Sequence, residues 1–328
     1  MEIRQLRYFI QIVESGSLSK ASELLHVAQP ALSQQLAKLE EEIGKPLLIR
    51  SARGVQPTEN GLALYQHARF IMRQFDQTLS IARSDAGAVH GMVTIGLPAT
   101  TVAAIGLALV KRIRERYPKV LINVVEGMSG HIGHLMRLGQ LDLAVLFRDD
   151  VARDLRVEPL FIEELFVIVA DHSGLIPAHV KAVTIEDVSE MPLILPTSSH
   201  GLRQRIEAEF ENRGLSTKVV AEIDSLSLLM NCVYDDMGAT IKPMGAVMLE
   251  GLRGRKWRAL PVSNARFRRR NFLYSLPTER LTTAAAVVAG ELKEAVAELV
   301  ADGSWQGFEA VEDRGASSRG RSPALAAE

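Results

Sequence analysis

Apolar positions in the first 45 residues recur at steps of three and four in three separate stretches, each of which predicts a short helix. Ile3, Leu6, Phe9, Ile10 and Val13 share one helical face, and Gly16 ends that helix. Ser17 or Ser19 can cap a second helix, with Glu23 placed to support its first turns and an apolar face of Ala21, Leu24 and Leu25. A tight connection at His26, Val27 and Ala28 leads to a third helix opened by Gln29 and Pro30, because proline in a first turn gives up an N–H that has no partner anyway. Its stripe is Leu32, Leu36, Leu39 and Ile43, and Gly44 ends it. Two extended pieces then flank the turn Ser51-Ala52-Arg53-Gly54 and predict a β-hairpin. From Thr58 to about residue 84 the helical period returns through Leu62, Tyr65, Ala68, Met72, Phe75, Leu79 and Ala82. A helix of roughly 40 Å with such a seam has no local partner. The seam, with Leu62, Tyr65, Met72, Phe75 and Leu79 as its large members, therefore predicts pairing with a second copy of the chain.

The texture changes after residues 85–91. An apolar strand at 92–97, a helix at 102–116, a strand at 120–126, a helix at 129–138 and a strand at 141–147 alternate in the manner of a parallel sheet with both faces covered. A second set follows: strands at 166–170, 193–195, 218–222, 239–241 and 272–276, and helices at 202–213, 225–234 and 281–300. Two α/β halves of similar size predict a cleft between them. From Asp302 the chain is rich in Gly, Ser and Ala and reads as a disordered tail, and no fixed-period repeat runs through it.

Composition narrows the picture only in part. The chain has 328 residues, 47% of them hydrophobic and 23% charged, which suits two or three globular domains. Apolar runs such as 165–170 are far shorter than the ~20 residues of a membrane helix, so no membrane partner is expected. The first residues lack the apolar core and cleavage site of a secretory signal, which points to the cytoplasm. Cys232 is the one cysteine, so neither an internal disulfide nor a multi-cysteine zinc site can form, and no cofactor or metal is expected. The net charge of −1 decides nothing, since a small DNA-reading module depends on local geometry.

The strongest constellation is 18–37, LSKASELLHVAQPALSQQLA. Ala21 is small where two helices must cross closely, and Val27, Leu32 and Leu36 fill the space between them. Gln29, Pro30, Ser33, Gln34 and Lys38 lie off that stripe, near the start of the third helix. That is where a helix-turn-helix meets base edges, and where glutamine can contact adenine with two hydrogen bonds. Arg50 and Arg53 flank the hairpin turn, suited to a phosphate or a minor groove.

Residues 1–60, through LRYFIQIVESGSLSKASELLHVAQPALSQQLAKLEEEIGKPLLIR and RGVQPTENG, resemble the N-terminal domain of LysR-type transcriptional regulators. The resemblance continues more loosely to about residue 300 through VTIGLP, GQLDLAVL and the HGLR segment. It implies an α/β multidomain protein: a winged helix-turn-helix at 1–58, a dimerising linker helix at 59–88, and an effector-binding region at 91–301. That region is built of two Rossmann-like subdomains of periplasmic-binding-protein type, one from 91–163 and 268–301 and the other from 164–267, with the tail at 302–328. It implies promoter DNA as a partner, a small-molecule effector, a homodimer or tetramer, and RNA polymerase as a candidate further partner. By position, Gln29, Pro30, Ser33 and Gln34 match contact sites of the recognition helix, and Arg50 and Arg53 match the wing.

In open α/β sheets ligands sit beyond the carboxyl ends of strands. Thr100 and Thr101, Ser129, Phe147 and Arg148, and Thr197, Ser199 and His200 all occupy such positions, where helix-opening N–H groups and hydroxyls hold anions. Arg148 and Arg203 are suited to pairing with a carboxylate, which would make the effector anionic. The basic run Arg266, Arg268, Arg269 and Arg270 reads as a solvated hinge strand with local carboxylate partners. Signals of enzymes are weak: there is no GxxxxGK[ST], no GxGxxG after a strand and no GxSxG elbow. His131 and His134 lack a third metal ligand nearby, and no convincing lysine site for pyridoxal phosphate is present. A regulator is the leading expectation, not an enzyme. The alternative is a solute-binding or catalytic α/β module whose N-terminal helices serve only assembly.

Overall fold

The computed structural model describes residues 1–51, 54–83, 89–150, 155–251, 254–265, 267–303 and 306–311. Its N-terminal unit contains α1 (Ile3–Ser15), α2 (Leu18–Leu25) and α3 (Gln29–Ile43). Phe9, Ile12, Ala21, Leu32, Leu36 and Leu39 make one core among them. Ser17 caps α2 by accepting the Lys20 N–H at 3.4 Å. His26 turns the chain in a left-handed conformation with φ of 53°, and α3 starts three residues later. Strands β1 (Leu48–Ser51) and β2 (Gly54–Pro57) form the antiparallel wing. The wing docks on the turn between α1 and α2, where the Val55 N–H donates to the Gly16 carbonyl at 2.8 Å. Thr58 caps α4 (Glu59–Arg83) through the Gly61 N–H at 3.0 Å.

In the α/β body, β3 (Gly91–Pro98) runs parallel to both β4 (Val120–Gly127) and β5 (Leu143–Leu146). Between β3 and β4 the chain passes through α5 (Ala99–Thr101), a π-helical turn (Val102–Gly106) and α6 (Leu107–Arg116). Between β4 and β5 it forms α7 (Ser129–Arg137). It then enters β6 (Arg156–Ala170) and builds α8 (Ile185–Glu190), β7 (Leu193–Leu195), α9 (Gly201–Glu211), β8 (Val219–Glu222), α10 (Leu226–Tyr234), β9 (Thr240–Pro243), α11 (Gly245–Gly251) and β10 (Trp257–Leu260). It returns through β11 (Arg268–Ser275) to α12 (Thr283–Asp302) and β12 (Phe308–Ala310).

The sheet is mixed, where the alternation of strands and helices predicts a parallel one. β11 lies antiparallel to β5 and to β6, and β9 and β10 lie antiparallel to β6. The reason is the double crossing between halves: β6 leaves the first half, β11 re-enters it, and the two run side by side in opposite directions. β6 is one strand of 15 residues, three times the 166–170 piece expected, because Glu158, Pro159 and the adjacent Glu163 and Glu164 interrupt the apolar pattern of its first two-thirds.

The expectation of disorder from Asp302 also fails for its first residues. α12 reaches Asp302, and β12 pairs with β6 at Phe308↔Glu163, Glu309↔Ile162 and Ala310↔Phe161. Phe308 is buried against Phe161, with ring centroids 6.0 Å apart, and Arg268 pairs with Glu309. Gly307 turns this strand at φ of 83°, and a Cβ there would stand 2.5 Å from the Phe166 ring. Residues 312–328 lie outside the described residues.

Candidate functional site

Two surfaces gather many of the residues singled out in the sequence, while Thr100, Thr101, Thr197 and Arg203 do not line the cleft. On the first, the stripe of α3 turns inward, which leaves Gln29, Pro30, Gln34 and Lys38 exposed and Ser33 half-buried. Ser19 of α2 donates to Gln29 Oε1 at 3.2 Å, which fixes that amide at the start of α3. Arg50, exposed on β1, donates from Nη2 to Ser33 Oγ at 3.3 Å, so wing and helix meet in one polar face. Arg53 lies outside the described residues.

On α4, Ala68 is buried, while Leu62 and Phe75 stay 46% and 37% exposed. Tyr65 and Met72 are half-buried, and the Tyr65 hydroxyl donates to Glu14 of α1 at 3.1 Å. The Leu79 side chain lies outside what is described. Among the described residues, Leu62 and Phe75 are the exposed large apolar residues of the helix, and at about 100° per residue they lie on different sides of it.

The second surface is a cleft of about 490 Å³ between the halves of the α/β body. Ser129, Arg137, Phe147 and Arg148 line it from the first half, Ser199, His200 and Arg205 from the second, and Arg269 from the crossing strand β11. α7 and α9 both begin on this wall, at Ser129 and Gly201, so each directs its N-terminal N–H groups toward it. Arg148 is already engaged in a two-pronged pair with Asp150, and its carbonyl accepts the Tyr274 hydroxyl at 2.7 Å. Thr100 is buried and accepts from Arg269 Nη2 at 3.0 Å. Thr101 is buried, with no partner for its hydroxyl among the described residues. Thr197 binds Asp224 and stands 3.4 Å from Ser199.

Arg203 differs from the expectation that it meets a carboxylate ligand. It is buried inside its own half, pairs with Glu207 and Glu222, and donates to the Pro196 carbonyl. On α9 it falls one residue after Leu202 and three before Ile206, on the face packed against the sheet. The exposed arginine of that helix on the cleft is Arg205.

Arg269 corrects the reading of the basic run. Strand alternation places Phe267, Arg269 and Asn271 on the buried face, while Arg270 is exposed and Arg268 is half-exposed beside Glu309. Arg266 lies outside the described residues. Arg269 pairs with buried Glu163, which also accepts from Asn271 Nδ2 at 3.0 Å, and its guanidinium lies 3.6 Å over the Phe147 ring. Lys242 was not singled out in the sequence either. It is 6% exposed on β9, and among the described residues it has no ion-pair or hydrogen-bond partner. Burial first, then the Arg269 charge, pulls its ammonium down to about 7, against a weaker opposing pull from Asp224. Burial likewise brings the His200 imidazole down to about 4, helped by Lys242 and Arg269. His200 is therefore neutral at pH 7, and its Nδ1 accepts the Leu202 N–H at 3.1 Å as the cap of α9. The signals were present: one lysine within the apolar run Ala239–Met244, and an arginine in step with Phe267 and Asn271.

A winged helix-turn-helix carried on a long helix, followed by two α/β lobes around a polar cleft, defines a ligand-responsive DNA-binding regulator. Residues 3–62 match the bacterial regulatory helix-turn-helix protein, lysR family, and residues 86–297 match the LysR substrate binding domain. The chain belongs to the LysR family of transcriptional regulators. It is 39% identical over 248 residues to the nitrogen assimilation regulatory protein nac of Klebsiella aerogenes, covering 75% of this chain and 79% of that one. Its fold is similar to a hydrogen-peroxide-bound OxyR mutant from Corynebacterium glutamicum (TM-score 0.56, 27% identity, 92% of this chain and 96% of that one). It is also similar in fold to CbnR, a LysR family transcriptional regulator (TM-score 0.67, 18% identity, 90% and 99%). These relatives are transcriptional regulators, which leaves the alternative of a purely catalytic or solute-binding module without support. Among the described residues no helix is long and apolar enough to cross a membrane.

Proposed function

We propose that this regulator reads promoter DNA through Gln29, Pro30, Ser33, Gln34 and Lys38 on α3 and through Arg50 and Arg53 on the wing. We further propose that it pairs through the α4 seam and responds to a small effector held between its α/β halves. The observation that carries the reading is the continuous polar face in which Arg50 reaches Ser33 beside the exposed Gln29 and Gln34. A helix presents its first turns to the major groove while a wing flanks the backbone, and this arrangement meets that requirement without moving an apolar residue into solvent. RNA polymerase is the partner downstream of DNA binding, and the cytoplasm the compartment. The likeness to a nitrogen assimilation regulator supports genes of nitrogen assimilation as targets.

The test is a gel-shift series on the promoter fragment that the purified protein enriches from sheared genomic DNA. Gln34→Ala is expected to weaken specific binding about tenfold, the worth of one good base contact. Its affinity for unrelated DNA should hardly change. Equal loss on both DNAs, or no loss on either, would remove Gln34 from base reading.

The effector is expected to act by differential affinity for two arrangements of the halves, since equal affinity shifts nothing. Addition of the right metabolite should then change the length of the protected DNA footprint.

A further inference from the structure

β12 lies beyond residues 86–297, the stretch that matches the substrate-binding family model, and it returns to the crossing between the halves. Its residues pair with Phe161–Glu163 of β6, and those same residues pair on the other edge of β6 with Arg269–Asn271 of β11. The connection between the halves is therefore three strands wide at this level. Directly opposed residues on neighbouring strands share a face, so Arg269, Glu163 and Phe308 stand in one row on the buried face. On the reverse face Arg268 reaches across β6 to Glu309, with contacts of 2.9 and 3.1 Å. Past that row the Glu164 N–H donates to the Gly307 carbonyl at 2.8 Å, and Gly307 presses on the Phe166 ring. Phe166 is paired with Lys242 of β9, in the second half. Residues 307–310 hence touch β6 on both sides of the point where it passes from one half to the other. Phe308, itself buried, also occupies the place beside Glu163 on the side away from Arg269, where water would otherwise reach the carboxylate. An ion pair kept dry attracts far more strongly than the same pair in water. Arg269, which lines the cleft and donates to Thr100, is held by that pair. A ribbon of two strands is marginal alone, and a third strand with side chains on both faces resists its bending and twisting.

We propose that β12 is a strap across the hinge: it holds the two halves at one angle, keeps Arg269 in the cleft wall through Phe308, and frees the halves when it lifts. Phe308 is then a positioning residue, acting on the cleft through Glu163. The strap works on the halves whatever the cleft holds, so it does not rest on the effector reading.

Spin labels at Glu115→Cys on α6 and Glu211→Cys on α9, both exposed and on opposite halves, measure the angle once Cys232→Ser has removed the native thiol. Labelled chain is diluted in excess unlabelled chain, so that only distances within one chain count. The full chain is expected to give one narrow distance distribution, and ending it at Asp302 to widen that distribution about twofold. Phe308→Asp, which sets a second carboxylate beside Glu163, should widen it as much, whereas Phe308→Leu, still apolar, should leave it narrow. Gly307→Ala, whose methyl meets the Phe166 ring, lifts the strap with least change elsewhere and should widen the distribution in the same sense. Backbone hydrogen exchange reports whether the strap has left. The Glu164 amide should exchange about tenfold faster in the widened variants, while the amides of β3 and β4 hardly change. An unchanged width in variants whose Glu164 amide has been released overturns the proposal. So does a full chain already as broad as the shortened one.

Discussion

At the scale of single residues, the cleft shows how burial sets charge. His200 is an ordinary imidazole moved into a half-buried cap position beside two cations, and the proton is what it gives up. Above pH 6.5 it is neutral in both folded and unfolded chains and contributes nothing to pH dependence. As pH falls from 6.5 toward 4 the unfolded chain takes the proton first, so stability is lost across that window. His200→Asn keeps a side-chain acceptor at the cap and removes the titration. The fall in melting temperature from about pH 7 to about pH 5 is therefore expected to be shallower in the variant, and parallel curves would show that other groups dominate. Lys242 and Arg269 illustrate why such residues escape a reading by pattern. A charged side chain in an apolar strand looks like an interruption until the sheet places it against other charges. Ser129, Phe147 and Ser199, which line the cleft, are easier to read, because strand ends and helix starts mark positions where a ligand can reach backbone N–H groups. Arg203 misled for the converse reason: Glu207, one turn further along its helix, and Glu222 on β8 answer its charge inside the lobe.

At the scale of elements, the bounds of the N-terminal helices were legible, although Leu24 and Ile43, read as members of the inward apolar faces, stand 57% and 38% exposed. Their apolar steps, the Ser17 cap, the Gly16 and Gly44 stops and Pro30 all agree on one answer, and such consistency is what specifies a structure. β12 was not legible. Its three residues sit in a stretch whose composition resembles a solvated tail, and only pairing with β6 organises them. Burial of Phe308 against Phe161 supplies the stabilisation, on the order of 2 kcal/mol, and the half-exposed Arg268–Glu309 pair adds little. Phe308→Ala should thus lower the melting temperature by about 5 °C, and ending the chain at Asp302 by a similar amount. If both melt like the full chain, β12 does not hold in solution. The mixed sheet was hidden for a related reason: apolar strands announce their existence, but their direction depends on which neighbour the topology supplies.

At the scale of the whole molecule, the exposed Leu62 and Phe75 mark two sides of α4, about three and a half turns apart, that a second copy wrapped around the helix would cover. Replacing both by aspartate is expected to halve the mass measured by light scattering at micromolar concentration. It should also weaken promoter binding at least a hundredfold, because two linked DNA-reading modules gain affinity from their connection. An unchanged mass would place the pairing surface elsewhere.

The two halves of the body are joined by β6 and β11, hydrogen-bonded along eight residue pairs from Arg268↔Glu164 to Ser275↔Arg156, with one irregularity between Asn271 and Phe272. Two connecting segments zipped into a ribbon cannot slide past one another, since that would tear their shared ladder. The deformations such a ribbon permits are out-of-plane bending and torsion, and a bulge is where both are taken up most readily. A change in the cleft would therefore be taken up as a bend or twist of one lobe at the ribbon, small in angle but lengthened by the lever arm of α4 into a displacement of the DNA-reading heads.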